Sequence, residues 1–249
     1  MIKRKLWIIL VWSMTIFGSP FTPGVSNVYA YRPFVSTDAA VVEKGETEIE
    51  IGLFGISHDE GLDEITIPSL IYNYGLSDTW EFVAEFDVQV YKEGEERDRE
   101  LKDPALFLKG VLQEGILQGK EGTSIAVEFG ALLPSTVRGK RDAGIEGIGI
   151  LSGKASDLTY HFNFGGELDR EDFGFNAIWG IILEYPLDSK FRVVGEVNGT
   201  FQRHGLPSNS GLIGFIWELG DIDLDFGIRR GFSDAASDWE LATGITFSF

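Results

Sequence analysis

From residue 239 the chain reads WELATGITFSF. Every second position gives Trp239, Leu241, Thr243, Ile245, Phe247 and Phe249. The intervening set is Glu240, Ala242, Gly244, Thr246 and Ser248. One set is apolar and aromatic, the other small and polar. A period of two predicts a strand with one apolar face. Its length matches the roughly 9–11 residues with which a tilted strand crosses a bilayer. The same alternation recurs upstream. Trp80, Phe82, Ala84, Phe86 and Val88 oppose Glu81, Glu85, Asp87 and Gln89, and Leu158, Tyr160, Phe162 and Phe164 oppose Thr159, His161, Asn163 and Glu167. Phe175, Ala177, Trp179, Ile181, Leu183 and Tyr185 oppose Asn176, Gly180 and Glu184. Phe191, Val193, Val197 and Phe201 oppose Arg192, Glu196, Asn198 and Gln202, and Ile222, Leu224, Phe226 and Ile228 oppose Asp223, Asp225 and Arg229.

About twelve such runs follow one another, at 46–57, 64–75, 79–92, 103–114, 122–134, 144–154, 158–169, 173–186, 190–203, 209–220, 222–232 and 238–249. No stretch keeps a 3.6-residue period. The connections alternate. GLSD, KASD, PLDSK and GDID are tight, whereas HDEGLDE, KEGEERDRELKD, STVRGKRDAG, RHGLPSNS and GFSDAASD are longer or more charged. LQEGILQGKEG is long for the tight set, and DRED is short for the other. Short turns at one rim and longer loops at the other predict an antiparallel up-and-down transmembrane β-barrel. An even strand count places both termini on the periplasmic side. A soluble β-sandwich also alternates, but its apolar faces must meet across a core. A final strand ending on Phe249 suits a barrel better, because closure pairs the last strand with the first. Trp80, Trp217 and Trp239 lie near strand ends, where an interfacial aromatic girdle belongs.

Residues 1–30 read differently. Lys3, Arg4 and Lys5 precede an apolar run of about a dozen residues, and Val28-Tyr29-Ala30 supplies small residues for cleavage. This predicts a secretory signal, followed by an N-terminal periplasmic or lumen segment (31–45) and a barrel (46–249). Removing the signal leaves 18 basic against 39 acidic residues, a net charge of −21 in place of −18. That balance excludes nucleic-acid binding, which needs Lys and Arg on phosphates. The absence of cysteine excludes disulfides, thiolate metal sites and a lipidated N-terminal cysteine.

Several stretches carry a family resemblance: RPFVSTDAAVVEKGETEIEIG, YNYGLSDTWEF, DPALFLKG, LLPSTVRGK and LTYHFNFGGEL. Together they resemble a family of bacterial outer-membrane proteins labelled "MetA-pathway of phenol degradation", or simply "transporter". The resemblance spans most of residues 31–249. It implies an outer-membrane barrel that passes small molecules, apolar or aromatic ones among them. Relatives often carry an acidic residue in a glycine-rich stretch. Here that stretch is GIEGIGI with Glu146 alone, so no substrate residues are carried over.

The expected lumen wall holds Glu48, Glu50, Glu81, Glu85, Asp87, Glu128, Glu167, Glu184, Glu196, Glu218, Asp223, Asp225 and Glu240 against Lys109, Arg192 and Arg229, with His161 beside them. Carboxylate rings favour cations. The plainer reading is that these charges rigidify a narrow lumen, Arg192 meeting Glu184 and Arg229 meeting Glu240 across their connections. Asp221, Asp223 and Asp225 lack the loop of a calcium motif and read first as a solvated rim. GIEGIG is followed by no helix, so a phosphate loop fails and its glycines serve sheet curvature. His161 with Ser152 raises nucleophilic catalysis, which requires hydrogen-bond reach. The face of Ser152 is ambiguous, and a lipid-hydrolysing site should face lipid.

The reading is therefore a non-enzymatic, cofactor-free channel of the bacterial outer membrane for passive passage of small solutes. The alternatives are a lipid-modifying enzyme, and a structural or adhesive barrel with a plugged lumen. Expected partners are outer-membrane lipid and lipopolysaccharide, small-molecule solutes and the barrel-assembly machinery; charged loops such as EGEERDRELKD could bridge to lipopolysaccharide through divalent ions but read first as solvated loops. Trp239, Leu241, Ile245, Phe247 and Phe249 form the expected assembly signal.

Overall fold

A computed structural model describes residues 32–59, 62–93, 96–135, 142–170, 173–203 and 205–249. The expected signal at 1–30 lies outside the described residues. Twelve antiparallel strands form one closed ring: β1 (Thr47–Asp59), β2 (Leu62–Ser77), β3 (Trp80–Glu93), β4 (Glu96–Gln113), β5 (Ser124–Leu132), β6 (Gly144–Ala155), β7 (Leu158–Leu168), β8 (Phe175–Pro186), β9 (Phe191–Phe201), β10 (Ser208–Glu218), β11 (Ile222–Gly231) and β12 (Trp239–Ser248). Each strand pairs with its sequence neighbours, and β12 pairs with β1 from Glu48↔Ser248 to His58↔Trp239. Phe249 adds two backbone bonds to Thr47, of 2.7 and 2.9 Å, so the chain end completes the closure.

The inside-out polarity decides between barrel and sandwich. Phe164 (72% exposed), Ile213 (66%) and Phe162 (44%) face outward, whereas Lys109, Glu81, Glu50 and His161 are fully buried. A water-soluble fold inverts that order. A closed sheet leaves no unpaired edge, so an apolar exterior can meet hydrocarbon.

Tight connections at 78–79, 156–157, 187–190 and 219–221 lie at the end that also holds Thr47 and Ser248, hereafter the turn end. The long 114–123 connection also lies there and carries a short 3-10 helix, Ile116–Gln118. The opposite, loop end differs from expectation at its first two connections. HDEGLDE and KEGEERDRELKD are hairpins rather than loops: β1 and β2 run to Asp59↔Leu62, and β3 and β4 to Glu93↔Glu96. Alternation by hydropathy loses sight of such extensions, because no apolar face is demanded of a strand beyond the bilayer. Both hairpins spring from a row of irregularities. Register slips at Gly52/Phe54 in β1, Thr66/Ser69 in β2 and Glu85/Asp87 in β3, along the connected pairs Gly52↔Ser69↔Asp87↔Lys102. Pro68 and Pro104 fall inside the skipped stretches. Bulges are where a strand tolerates a missing N–H and where it bends.

Candidate functional site

The aperiodic segment 32–45 folds inside the barrel. Apart from its end, where Lys44 bridges to Gly75 and Gly45 N–H donates to Gly75 O (2.8 Å), it pairs with no strand among the described residues, so its N–H groups need other acceptors. Inward side chains of the wall supply them. Arg32 N–H donates to Glu50 (3.1 Å), Val35 and Ser36 N–H to Glu196 (3.2 and 2.7 Å), and Val42 N–H to Glu81 (2.7 Å). Thr37 N–H donates to Asn163 Oδ1 (3.1 Å), and Asn163 Nδ2 returns a bond to Thr37 O (2.7 Å). Ala39 N–H donates to Ser152 Oγ (3.0 Å). The 114–123 connection reaches under the segment, and Gln118 Nε2 donates to Ala39 O (2.8 Å). Leu117 there packs on the small core of Ala39, Ala126, Ile148 and Ile150. This role accounts for the length of a connection that was too long for a turn.

Glycines make room for the segment. A Cβ at Gly180 would stand 1.8 Å from Ser36 Oγ, and one at Gly244 would stand 2.4 Å from Arg32 Nε.

Several wall carboxylates are tied to the few cations. Lys109 Nζ lies 3.3 Å from Asp38 and 3.6 Å from Glu81. Arg192 meets Glu184 (2.5 Å), Glu218 (2.7 Å) and Asp223 (3.5 Å). Arg229 meets Glu196 (2.7 Å) and Glu240 (3.4 Å). Asp225 lies 3.6 Å from Arg32. Asn73 donates to Glu50 (3.1 Å) and Glu48 (3.4 Å), and Ser248 Oγ donates to Glu48 (2.9 Å). Asp223 and Asp225 therefore sit buried inside the wall, not on a solvated rim. Among the described residues no group of three or more ligating side chains is placed to hold a metal.

His161 connects three expected residues. Ser152 Oγ lies 2.8 Å from its Nδ1, and Glu184 Oε1 lies 2.8 Å from its Nε2. Ser152 thus faces inward, which GIEGIGILSG alone could not settle. With Nε2–H donating to Glu184, Nδ1 is free to accept the Ser152 proton, the wiring of an activated hydroxyl. Neither Ser152 nor His161 has exposed surface, however, and neither lines either of the two loop-end chambers. Ser152 Oγ is occupied by Ala39 N–H. Of the other histidines, His204 lies outside the described residues.

The segment divides the lumen. Toward the turn end, the inward side chains Glu50, Asn73, Glu81, Lys109, Ser124, Ser152, His161 and Thr246 have no exposed surface. Toward the loop end lie two adjoining chambers of about 550 and 680 Å3. Val35, Ser36, Glu85, Glu146, Ile148, Arg229 and Glu240 belong to both. Glu128 and Asp87 line the smaller chamber, and Glu167 and Asn198 the larger. Wall residues therefore hold the segment, face a chamber, or, as Asn163 does, do both. Sequence reasoning missed the acceptors Asn163 and Ser152 and the donors Asn73 and Arg32. The three wall residues had an inward register position as their signal, and Arg32 had none. In the last strand, Trp239 (39% exposed) and Phe249 (65%) face outward.

No family model matches the chain, and no curated protein matches it. Among solved structures it is similar to an outer membrane channel from Pseudomonas putida F1, with a TM-score of 0.63 at 10% identity over 87% of this chain and 100% of that one. The CymD monoaromatic hydrocarbon channel aligns at 0.49 and 8% identity over 82% of this chain and 88% of that one. The translocator domain of the autotransporter NalP from Neisseria meningitidis aligns at 0.46 and 11% identity over 83% and 89%. At 10% identity the likeness to the first of these is one of fold: a closed antiparallel barrel.

Proposed function

We propose that this protein is a channel of the bacterial outer membrane for passive passage of small molecules, closed at rest by residues 32–45. The carrying observation is the division of the lumen: chambers reach from the loop end down to Val35 and Ser36, and fully buried side chains fill the rest. A solute entering at the loop end meets the segment as its floor, and passage needs that floor to move. The fold likeness to an outer membrane channel supports this reading. On the same reading the termini and the turn end are periplasmic, and the exterior sits among outer-membrane lipid and lipopolysaccharide after insertion by the barrel-assembly machinery. Apolar and aromatic solutes are included because Phe107, Leu132 and Ile148 line the chambers.

The excess of inward carboxylates supports cation preference once the floor has moved. Reconstitution into planar bilayers tests both points. Low conductance with rare openings is expected, and reversal potentials in a salt gradient should favour cations, less so as salt rises. A steadily open pore, or anion preference, would sink the reading.

The Ser152–His161–Glu184 chain is the one feature that favours an enzyme. With Ala39 covering Ser152, no carbonyl can reach it. We read the chain as a latch that holds Ala39 to the wall.

A further inference from the structure

Cavities of roughly 300–1,000 Å3 are the usual size of small-molecule sites, and both loop-end chambers fall in that range. Their walls are not uniform. On one side Val83, Ala105, Phe107 and Leu132 form an inward apolar cluster, joined by Ile71. Around it, Glu85, Glu128 and Glu146 face the same space. Among the described residues Glu85 has no cationic partner. Of the arginines in the chambers, Arg229 is held by Glu196 and Glu240, Arg32 by Asp225 and Ser69, and Arg170 donates to Pro104 O (3.3 Å).

The opposite wall carries a directed hydrogen-bond relay. Arg229 can only donate, and its Nη1 donates to Ser210 Oγ (3.1 Å). Ser210 then donates its own proton to Asn198 Oδ1 (2.9 Å). In that arrangement the oxygen of the Asn198 amide is occupied by Ser210. Its NH2 group is left as a donor without a partner, on a residue only 8% exposed that lines the larger chamber. β3 and β9, which carry Glu85 and Asn198, stand six steps apart in a ring of twelve strands. They therefore face each other across the lumen, and both line the larger chamber.

We infer that the loop-end chamber binds amphipathic organic cations: a ring-sized apolar body with an ammonium group at one end and a neutral acceptor oxygen at the other. The ammonium meets Glu85, the ring lies along Phe107 and Leu132, and the acceptor takes the Asn198 amide N–H. Anions are disfavoured, because Glu85, Glu146, Glu167 and Glu240 line the larger chamber and repel them. The inference rests on the channel reading for its purpose, transport, but binding is measurable without transport.

The probes are tyramine, its neutral analogue 4-ethylphenol, the anionic 3-(4-hydroxyphenyl)propionate, and phenethylamine, which lacks the hydroxyl. Calorimetry on the full-length protein in detergent should show tyramine binding at least about tenfold more tightly than 4-ethylphenol, the effect of one charge-assisted hydrogen bond. The anion should not bind. Glu85→Gln should abolish the preference for tyramine over 4-ethylphenol. Asn198→Leu should bring tyramine and phenethylamine together while keeping the preference for the cation. Heat-modifiable migration on gels verifies that each variant is folded. Absence of saturable tyramine binding, equal affinity for 4-ethylphenol, or indifference to Glu85→Gln would overturn the inference. Flux into proteoliposomes is measured separately. Tyramine binding without flux of any solute refutes the channel reading and leaves the site standing. Flux without charge preference in binding does the reverse.

Discussion

Gly180 is the seat of Ser36, and filling it should open the barrel. A Cβ there stands 1.8 Å from Ser36 Oγ and 2.9 Å from Ser36 Cβ, while the next neighbour, Asn198 Cβ, is at 3.7 Å. Rotating Ser36 relieves the hydroxyl clash but not the Cβ contact, so the segment backbone must retreat. A shift of about 1 Å takes the Ser36 N–H bond to Glu196, now 2.7 Å, beyond hydrogen-bond range. It also strains the two bonds between Thr37 and Asn163, now 2.7 and 3.1 Å. A hydrogen bond to a charged acceptor is worth about 1.5–3 kcal/mol and a neutral one about 0.5–1.5. Gly180→Leu should therefore weaken docking of the segment by roughly 2–4 kcal/mol, raising the undocked population roughly 30- to 700-fold. Gly180→Ala should have a smaller effect in the same direction. Gly195→Leu is the control, since its Cβ meets nothing nearer than Leu212 O at 3.6 Å. The measurement is planar-bilayer conductance, with heat-modifiable migration to verify folding. A folded Gly180→Leu barrel with wild-type conductance would show that the segment does not close the lumen.

Phe164→Arg places a charge on a side chain that is 72% exposed at mid-strand; it should cost about 2–4 kcal/mol at the bilayer midplane in urea titrations of liposome-folded protein. Asn163→Arg, one residue away but bonded to Thr37, should spare barrel stability and raise conductance instead; equal stability losses would contradict the assignment of faces. Deleting Phe249 removes an exposed aromatic and its two backbone bonds to Thr47. A large loss of assembled barrel in cells is expected, with a loss of only a few kcal/mol for refolded protein; normal assembly in cells would show that this residue is not an address. Ser152→Ala strips Ala39 N–H and His161 Nδ1 of their partner. It should weaken docking by about 1–3 kcal/mol and leave hydrolysis of p-nitrophenyl butyrate at background, as in the unaltered protein. Hydrolysis that disappears with Ser152 would establish the enzyme instead.

The ring of strands was legible because a membrane barrel imposes one rule at every position: apolar outward, anything else inward. Strands β5 to β12 accordingly begin and end close to where alternation places them. The rule lapses where the constraint lapses. Beyond the bilayer both faces of a strand are wet, so the β1–β2 and β3–β4 hairpins read as charged loops. At Gly52, Ser69 and Asp87 bulges shift the phase, and a period-two reading cannot see a phase shift from one strand alone. Alternation also reports only a side, never a partner. It puts Glu196 inside, but that Glu196 serves Ser36 and Arg229 together depends on the path the segment takes past β9. Segment 32–45 was the least legible part for the same reason. Its backbone bonds go to side chains scattered over β1, β3, β6, β7 and β9, so no periodicity can record them.

The acid excess that looked like a selectivity ring has a second physical use. A thirteenth piece of chain inside a closed barrel brings N–H donors that the wall backbone meets only at its end, Gly45 to Gly75, since every wall strand already has two neighbours. Carboxylates solve that problem: each oxygen accepts more than one bond, and a charged acceptor holds an N–H more strongly than a carbonyl does. They also remain well solvated if the segment leaves, whereas an apolar seat would resist exposure to water. The segment's apolar contacts are correspondingly few, chiefly Ala39 on Ala126, Ile148 and Ile150, and Phe34 on Val194, Leu212 and Ile216. A plug held mainly by polar bonds to groups that water can equally serve is one that can undock at modest cost, and that is the property a resting closure of a passive channel requires.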